Sequence, residues 1–421
     1  MKKIVIRGGV PLTGTIEVSG SKNAALPEMC ASLLTGEQIT LTRVPGLGDI
    51  ATTSNLLARL GVQVKNEKNG TVRLCGREIQ DCRAPYELVK TMRASVLVLG
   101  PLVARLGRAD VSLPGGCAIG ARPVDQHLKG LEALGATIAL RSGYIEARSP
   151  RLRGTDFTFD LPTVTGTENL MMAASLAKGV TVLRNCAKEP EIVDLAALLN
   201  KMGGSIEGAG TDTIVIEGRD ALHGASHEVM PDRIEAGTHL IAGAITQGNV
   251  LVKGCEPIHL MALIEKLDEV GLKITVGATE VQVASNGRIR SRDVATHPFP
   301  GFATDFQAQY MALVSLGDDR CQISENVFEN RFMHVQELVR MGANIRVTGR
   351  TAQVIGVKKL CGAHVQATDL RASACLILAG LAAEGITEVH RVYHLDRGYE
   401  RIEEKLAALG ADIRREEDTL L

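Results

Sequence analysis

A cysteine in a glycine-rich stretch is the first residue of this sequence that suggests chemistry. The stretch SLPGGCAIGARP covers residues 112–123 and contains Cys117 and, five residues later, Arg122. A nearby guanidinium favours the thiolate form of a cysteine and so tunes it for proton exchange. The three glycines predict a hinged lid that closes over a substrate and excludes water. The alternative is an incidental surface cysteine, although an exposed free thiol is a liability.

Short polar phrases stand where buried helices are expected to begin. They are SGSKN (Lys22, Asn23), KTMRAS (Lys90, Arg93), TGTENL (Glu168, Asn169), PDRIE (Asp232, Arg233, Glu235), ATDFQ (Asp305) and ATDLRAS (Asp369, Arg371), with Arg122, Arg331 and Arg397 outside them. Helix N-termini attract anions, and a buried arginine needs a partner or a wet cleft. The phrases therefore predict a cleft for a substrate with at least two anionic groups. Alternatively, the aspartates are only helix N-caps, and the arginines pair with them to hold two globules together.

The elements that must position these residues follow a repeat of about 70 residues. A helix end, a glycine and a strand recur, as in LARLGVQV, at Gly61, Gly135, Gly203, Gly271, Gly342 and Gly410. Each glycine suits the left-handed residue that ends an amphipathic helix. Each repeat also has a helix that is apolar nearly all round and must be buried. The sequence predicts an α/β protein of two three-repeat globules, with central helices, outer sheets and a linker near 218–230.

Composition excludes several classes of protein. The 47 basic and 48 acidic residues give a net charge of −1, which provides no footprint for nucleic acid or an anionic membrane. The N-terminus does not resemble a signal peptide, and no stretch is apolar enough to span a membrane, so a cytoplasmic protein is expected. Nine scattered cysteines without a CxxC pair predict neither disulfides nor structural zinc; Cys30, Cys186 and Cys375 are expected in the core. We expect no cofactor and no obligatory metal.

Several motifs together resemble the enolpyruvyl transferases over the whole chain. They are SGSKNAALP, PGGCAIGARPVDQH, TDFQAQ, ENRFMHVQEL, ATDLRAS and HLDRGYER. The resemblance is narrower to those members that use UDP-N-acetylglucosamine in the first committed step of peptidoglycan synthesis. It implies two inside-out α/β barrels (α/β prisms), each of three βα repeats. It also implies one domain at 22–229, which carries the lid loop 112–123, and a second formed by 1–21 and 230–421.

The resemblance further implies the substrates, phosphoenolpyruvate and UDP-N-acetylglucosamine, and the roles of site residues. Cys117 would be the general acid that protonates the methylene carbon of phosphoenolpyruvate, and the epoxide fosfomycin would alkylate it. Asp305 would accept the proton of the sugar 3′-hydroxyl, and Asp369 would assist. The other implied site residues are the catalytic Lys22 and Arg397 with Arg122 for the phosphate, Arg331 and Arg371 for the carboxylate, Asn23 for both substrates, Arg93, Arg122, Pro123, Val124, Asp125, Gln126 and His127 for the uridine and diphosphate, and Val327 for the sugar.

Two other functions remain open at this point. The shikimate-pathway enolpyruvyl transferase shares the fold and phosphoenolpyruvate, but it lacks a cysteine lid and begins with a different lysine phrase. A non-catalytic repeat scaffold is the second alternative, although such scaffolds usually expose a long concave face. The three possible functions can be distinguished by measuring phosphate release from phosphoenolpyruvate with either UDP-N-acetylglucosamine or shikimate 3-phosphate as the acceptor.

Overall fold

The computed structural model describes residues 2–79, 81–90, 92–113 and 124–418, which form two compact units. We call residues 20–113 and 124–230 the middle unit, and residues 2–19 and 231–418 the terminal unit. Each unit has its own hydrophobic core, built mainly from Leu, Ile, Val, Ala and Met side chains.

The described residues contain 24 strands and 13 α-helices. The strands are β1 Lys2–Arg7, β2 Thr13–Glu17, β3 Gln38–Thr42, β4 Gln63–Asn66, β5 Val72–Cys75, β6 Arg83–Ala84, β7 Arg108–Ser112, β8 Thr137–Arg141, β9 Tyr144–Arg148, β10 Asp156–Thr158, β11 Val180–Arg184, β12 Ser205–Glu207, β13 Thr213–Glu217, β14 Ser226–Glu228, β15 Asn249–Lys253, β16 Lys273–Val276, β17 Glu280–Ala284, β18 Val294–Ala295, β19 Arg320–Ser324, β20 Asn344–Thr348, β21 Thr351–Ile355, β22 His364–Gln366, β23 Ile386–His390 and β24 Asp412–Glu417. The helices are α1 Lys22–Cys30, α2 Gly48–Leu60, α3 Tyr86–Val89, α4 Leu99–Leu106, α5 Asp125–Ala133, α6 Val164–Ala174, α7 Pro190–Lys201, α8 Arg233–Ile245, α9 Met261–Glu269, α10 Gln307–Val314, α11 Val335–Arg340, α12 Leu370–Ala382 and α13 Ile402–Ala408. The 3₁₀ segments are Ala31–Leu34, Arg93–Val98, Pro257–Leu260, Thr304–Phe306 and Val392–Arg397.

The strands form six four-stranded sheets that share one topology. In strand order they are β14-β3-β5-β4, β6-β7-β9-β8 and β10-β11-β13-β12 in the middle unit, and β2-β15-β17-β16, β18-β19-β21-β20 and β22-β23-β1-β24 in the terminal unit. The first strand of each sheet pairs in parallel with the second, and the other pairs are antiparallel. Strands such as β13 alternate buried and exposed residues, so one face of each sheet covers the core.

Three buried helices fill the centre of each unit: α1, α4 and α6 in the middle unit, and α8, α10 and α12 in the terminal unit. Every residue of α8 and α10 is buried, as the all-round apolar pattern predicts. The helices approach closely, because a Cβ on Gly100 of α4 would stand 2.1 Å from the side-chain oxygen of Asn169 on α6. Each unit is thus an inside-out α/β barrel of three repeats, which confirms the predicted fold class.

The six repeat glycines all adopt the predicted left-handed conformation, with φ between +91° and +103°. In each case the residue after the glycine donates its N–H to a carbonyl in the last helical turn. Val62 N lies 2.9 Å from Leu57 O, and Ala411 N lies 3.1 Å from Leu406 O. This is the hydrogen bond of a Schellman motif, which ends the outer helix and turns the chain directly into the next strand.

The beginning of the chain completes two sheets of the terminal unit. β1 lies between β23 and β24, with Ile4 opposite Val389 and Ile6 opposite Ile413. β2 pairs in parallel with β15 and supplies the edge strand of that sheet. In the middle unit, β14 supplies the same edge position beside β3. The predicted linker near 218–230 is therefore wrong for residues 226–228, which form a strand of the middle unit. Among the described residues of that unit, no strand precedes β3 that could fill the edge position.

The remaining expectations concern membranes and cysteines. No helix in the described part of the chain is long and apolar enough to cross a membrane. The eight cysteines that the structure describes are free, and Cys30, Cys186 and Cys375 are buried in the core as predicted.

Candidate active site

Two buried helices of the terminal unit begin at capping aspartates. The Asp232 carboxylate accepts hydrogen bonds from the backbone N–H groups of Ile234 and Glu235, at 2.8 and 3.0 Å. The Asp369 carboxylate does the same for Arg371 and Ala372, also at 2.8 and 3.0 Å. The N-cap interpretation is therefore correct for both residues, and these bonds satisfy donors that the helix itself cannot.

Asp305 has a different environment. It lies inside the 3₁₀ turn Thr304–Phe306, and neither this turn nor α10 has a side-chain cap. Its two oxygens instead accept hydrogen bonds from separate arginines, Arg331 at 2.5 Å and Arg371 at 3.2 Å. Both guanidiniums are buried, with 6% and 7% of each residue exposed. The N-cap interpretation is therefore wrong for Asp305, which joins two buried cations.

The charges of this cluster determine the state of the carboxyl group. Burial alone raises the pKa of a carboxyl group, but Arg371 and Arg331 outweigh it and hold the pKa of Asp305 well below its ordinary value. Asp305 is thus ionised at neutral pH. The two guanidiniums can also bind the carboxylate of a substrate, although the Asp232 carboxylate is a further negative charge that attracts Arg371.

Arg371 is also held through its second terminal nitrogen. Its Nη1 donates to the Tyr399 hydroxyl at 3.0 Å, and that hydroxyl also accepts from Nε2 of Gln309 at 3.2 Å. With two donors already directed at it, the hydroxyl of Tyr399 donates its own proton to Thr238 Oγ1, 2.9 Å away. Thr238, Gln309 and Arg371 belong to α8, α10 and α12, so one polar network joins the three central helices.

Arg331 is fixed by a relay on its own side of Asp305. Its Nη1 donates to Thr304 Oγ1 at 2.8 Å, and the same hydroxyl donates to Oε2 of Glu325 at 2.9 Å. Glu325 is buried and accepts the backbone N–H groups of Val327 and Phe328 through its other oxygen. Val327, the predicted sugar contact, is thus held in place by the carboxylate that orients Arg331.

Asp369 and Arg397 lie on segments that adjoin this cluster. Burial lowers the pKa of His334 to about 4, with Asp369 opposing and Arg331 adding to the effect, so His334 is neutral beside both charged groups. Arg397 ends the 3₁₀ segment Val392–Arg397 and is half-buried, two residues before Tyr399. Asp305, Asp369, Arg331 and Arg371 therefore lie close to one another in the terminal unit.

In the middle unit, Lys22 begins α1 after the N-cap Ser21. Its ammonium is buried and lies 3.0 Å from Oδ2 of Asp49, at the start of α2. Asn23 follows Lys22 and is half-buried. Lys22 therefore has a carboxylate partner within its own unit, and Asp49 is a residue that the sequence motifs did not indicate.

A second group of predicted residues lies at the start of α5 in the middle unit. Val124 precedes the helix, Asp125 begins it, and Gln126 exchanges two hydrogen bonds with Asp160, both of 2.9 Å. The buried ring of His127 accepts from the amide nitrogen of Asn169 at Nδ1, 2.9 Å away. That nitrogen also donates to Val96 O, and the amide oxygen accepts from Gly100 N, so the orientation of the amide is fixed.

These contacts define the protonation state of His127. Because Nδ1 accepts, the ring proton is on Nε2 and points to Thr165 Oγ1, 3.3 Å away. Burial, aided by the nearby guanidinium of Arg93, lowers the pKa of His127 to about 4. His127 is therefore a neutral hydrogen-bonding residue close to Arg93. The remaining predicted site residues, Cys117, Arg122 and Pro123, lie outside the described residues.

A comparison with known proteins shows the family to which this chain belongs. A family model described as EPSP synthase (3-phosphoshikimate 1-carboxyvinyltransferase) matches residues 6–406. The chain belongs to this enolpyruvyl transferase family. Relatives named UDP-N-acetylglucosamine 1-carboxyvinyltransferase are similar along nearly the whole length. The one from Anaeromyxobacter sp. (strain K) is 61% identical over 99% of both chains, and the one from Koribacter versatilis (strain Ellin345) is 57% identical over 99% of this chain and 96% of its own.

Solved structures show the same fold. The enolpyruvyl transferase NikO from Streptomyces tendae is 26% identical, with a TM-score of 0.89 over 98% of each chain. An EPSP synthase from Acinetobacter baumannii is 16% identical, with a TM-score of 0.75 over 99% of this chain and 100% of its own. The second likeness shows a common fold alone.

Sequence reasoning missed several residues that position the charges of this enolpyruvyl transferase. Tyr399 supports Arg371, while Thr304 and Glu325 support Arg331. Thr304 and Tyr399 belong to the motifs TDFQAQ and HLDRGYER, in which only the neighbouring Asp305 and Arg397 were predicted to be site residues. Glu325 lies outside the motifs, and only the fold shows that it is buried beside Thr304.

Proposed function

We propose that this enzyme transfers the enolpyruvyl group of phosphoenolpyruvate to the 3′-hydroxyl of UDP-N-acetylglucosamine and releases phosphate, as the first committed step of peptidoglycan synthesis in the cytoplasm. The 57–61% identity to full-length relatives of that name supports the choice of acceptor. The observation that carries the chemistry is Asp305 between two buried arginines. Proton acceptance from a hydroxyl requires a carboxylate, and binding of a polyanion requires cations such as these guanidiniums.

The cluster supports an exchange of counter-charges during the reaction. Before substrate binds, Asp305 is the shared counter-ion of Arg331 and Arg371 and keeps their guanidiniums oriented. A carboxyl group whose pKa is so low is a poor base. When the carboxylate of phosphoenolpyruvate binds the arginines, it replaces Asp305 as their partner, and the pKa of Asp305 rises. Asp305 can then accept the proton of the 3′-hydroxyl as that oxygen attacks C2.

The residues assigned by family resemblance account for the other proton transfers and bond changes of the reaction. Cys117 delivers a proton to the methylene carbon, and the cation-like C2 is attacked by the sugar oxygen. Loss of a proton from the resulting methyl group, assisted by Asp369, restores the double bond as phosphate leaves. Lys22, Arg122 and Arg397 bind that phosphate. The products are enolpyruvyl-UDP-N-acetylglucosamine and inorganic phosphate, with no external reductant or oxidant.

Residues of the middle unit are proposed to bind the nucleotide. Arg93, Arg122 and residues 123–127 hold the uridine and diphosphate, with Asn23 in contact with both substrates. His127 serves there as a neutral hydrogen-bonding group rather than a cation, because its pKa is about 4. Val327 contacts the sugar.

The choice of acceptor is tested by phosphate release from phosphoenolpyruvate. We expect release with UDP-N-acetylglucosamine and none above background with shikimate 3-phosphate. Release with shikimate 3-phosphate alone would establish the shikimate-pathway activity instead. No release with either acceptor, from a folded protein, would favour a non-catalytic scaffold.

The role of Cys117 is tested by replacing one acid with another. The reference pKa of Asp is about 4.6 units below that of Cys, so its protonated form is scarce at neutral pH. Cys117→Asp should retain turnover with a lower pH optimum, whereas Cys117→Ser and Cys117→Ala should be nearly inactive. Fosfomycin should add once to the wild type, at Cys117 by mass spectrometry, and not to Cys117→Asp. Full activity of Cys117→Ala would end the general-acid assignment.

A further inference from the structure

The terminal unit has a second cluster of polar side chains that the proposed reaction does not use. His364 lies in β22, and Glu388 and His390 lie in the adjacent strand β23. The register places His364 opposite Glu388, and Gln366 opposite His390. The alternating residues Val365 and Val389 are buried in the core, so the three side chains share the opposite face of the sheet.

The ligand atoms of the cluster are spaced as around a tetrahedral metal ion. Nδ1 of His364 lies 3.4 Å from Nε2 of His390 and 3.5 Å from Oε2 of Glu388. Oε2 of Glu388 lies 3.9 Å from Nε2 of His390. Atoms bound to tetrahedral zinc at 2.0–2.1 Å are separated by about 3.3–3.4 Å. Two of the three separations already match, and the third requires a shift of roughly half an ångström.

Asp418 orients the inner histidine of this cluster. Its Oδ2 lies 2.6 Å from Nδ1 of His390, and its side chain is fully buried. A carboxylate only accepts hydrogen bonds, so Nδ1 carries the ring proton and the lone pair of Nε2 faces His364 and Glu388. A carboxylate that fixes the tautomer of a ligating histidine in this way is a regular feature of protein zinc sites.

The middle unit provides an instructive contrast. Glu28, Asp194 and His227 also bring three ligand atoms together. There, however, Nδ1 of His227 lies 2.9 Å from the ammonium of Lys201, which only donates. The proton of His227 is therefore on Nε2, directed at Asp194 Oδ1, 2.8 Å away. This ring has no free lone pair for a metal, so the group is a hydrogen-bonded network.

We propose that His364, Glu388 and His390 bind a divalent transition-metal ion of the zinc type. The His364 side chain is 66% exposed, so solvent can complete the coordination. The ion joins the edge strand β22 to β23. In the chain, β22 comes directly before the segment that carries Asp369 and Arg371. Lys3 is the opposing influence, because its ammonium lies 2.6 Å from the same Oε2 of Glu388 and repels a cation.

The test is calorimetric titration of the whole chain with Zn²⁺. We expect one ion per chain at this site, and an affinity lowered about tenfold or more in His364→Ala and about 10–100-fold in Asp418→Asn. Lys3→Met should raise the affinity. His223→Ala removes an exposed histidine elsewhere and is the matched control, with unchanged binding. Zn²⁺ should raise the melting temperature of the wild type and of His223→Ala more than that of His364→Ala.

Thiols also bind zinc, and Cys361 is exposed near His364. Co²⁺ distinguishes the two, because nitrogen and oxygen ligation gives visible bands without the near-ultraviolet charge-transfer band of a thiolate. Cys361→Ser should leave this spectrum unchanged. A thiolate band that Cys361→Ser removes, equal affinity in His364→Ala and wild type, or no binding at all would each overturn the proposal. In the last case the two histidines only share a hydrogen bond.

Discussion

The three central helices of the terminal unit begin beside aspartates with different roles. Asp232 and Asp369 precede α8 and α12 directly, and their carboxylates cap the first turn. In the fifth repeat, the 3₁₀ turn Thr304–Phe306 comes before α10 and carries Asp305 away from the cap position. The same residue type at matching repeat positions thus caps the helix where the chain enters it directly, and pairs with arginines where an extra turn intervenes.

The electrostatic consequences of this difference have opposite signs. Burial raises the pKa of Asp232, although Arg371 acts against it. At Asp305, direct contact with two arginines reverses the effect of burial and lowers the pKa. A neutral amide can therefore take over the capping role of a carboxylate, but it cannot take over the ion pairs of Asp305. Substitutions at four positions test this contrast.

Asp305→Asn should have the largest effect. The amide neither accepts the hydroxyl proton nor neutralises two buried arginines, so kcat should fall by about 100-fold or more. Breaking a fully buried ion pair destabilises a protein by about 3–5 kcal/mol, and we expect about 1–3 kcal/mol here because Asp305 is partly exposed. Steady-state kinetics and urea unfolding at pH 7 measure the two effects.

The pH dependence of unfolding gives an independent check on Asp305. Its folded pKa lies below the unfolded value, so its contribution to stability is complete above about pH 4 and is lost as the pH falls further. The wild type and Asp305→Asn should therefore converge in stability at acid pH. A difference in stability that grows on acidification would contradict the ion-pair assignment.

Substitutions of Asp369 should distinguish its role as a helix cap from its role in the reaction. Asn caps a helix about as well as Asp, so Asp369→Asn should keep the stability of the wild type while kcat falls about tenfold or more. Asp369→Ala should lose a further ~1 kcal/mol of unfolding free energy. Normal turnover in Asp369→Asn would show that the carboxylate is only a cap.

Tyr399→Phe should have a smaller effect, since it removes one partner of Arg371 and leaves Asp305 in place. We expect a loss of about 1–2 kcal/mol in stability, because Thr238, Gln309 and Arg371 each lose a hydrogen bond. The KM for phosphoenolpyruvate should rise several-fold with little change in kcat if Tyr399 positions Arg371. An equal fall in kcat with constant KM would instead place Tyr399 in the chemical step.

Asp232→Asn should have the smallest effect. The cap is retained, so the free energy of unfolding should change by less than about 1 kcal/mol at pH 7. Because the folded pKa of Asp232 is raised, the wild type loses stability as pH rises from about 4 through that pKa. The variant should therefore be relatively more stable at pH 7 than at pH 4. Thermal melts at the two values check the sign.

The sequence predicted the fold more completely than the site. The helical spacing of apolar residues and the glycine at a fixed place in each repeat depend only on the local conformation of the backbone. All six glycines have the expected left-handed conformation. The partners of Asp305 are not local: Arg331 and Arg371 lie 26 and 66 residues further along the chain. Whether an aspartate caps a helix or bridges arginines depends on a single 3₁₀ turn, and the phrases ATDFQ and ATDLRAS give no sign of it.

The placement of β1 and β2 has a consequence for synthesis on the ribosome. The middle unit can fold once residues 20–230 have emerged, because all of its sheets come from that stretch. β1 emerges long before its neighbours β23 and β24, so it must wait with its backbone unpaired while the residues between them are made. At roughly 5–20 residues per second this interval is some tens of seconds. Lys2, Lys3 and Arg7 at the rim of β1 add the charge that discourages such a waiting strand from pairing with another chain.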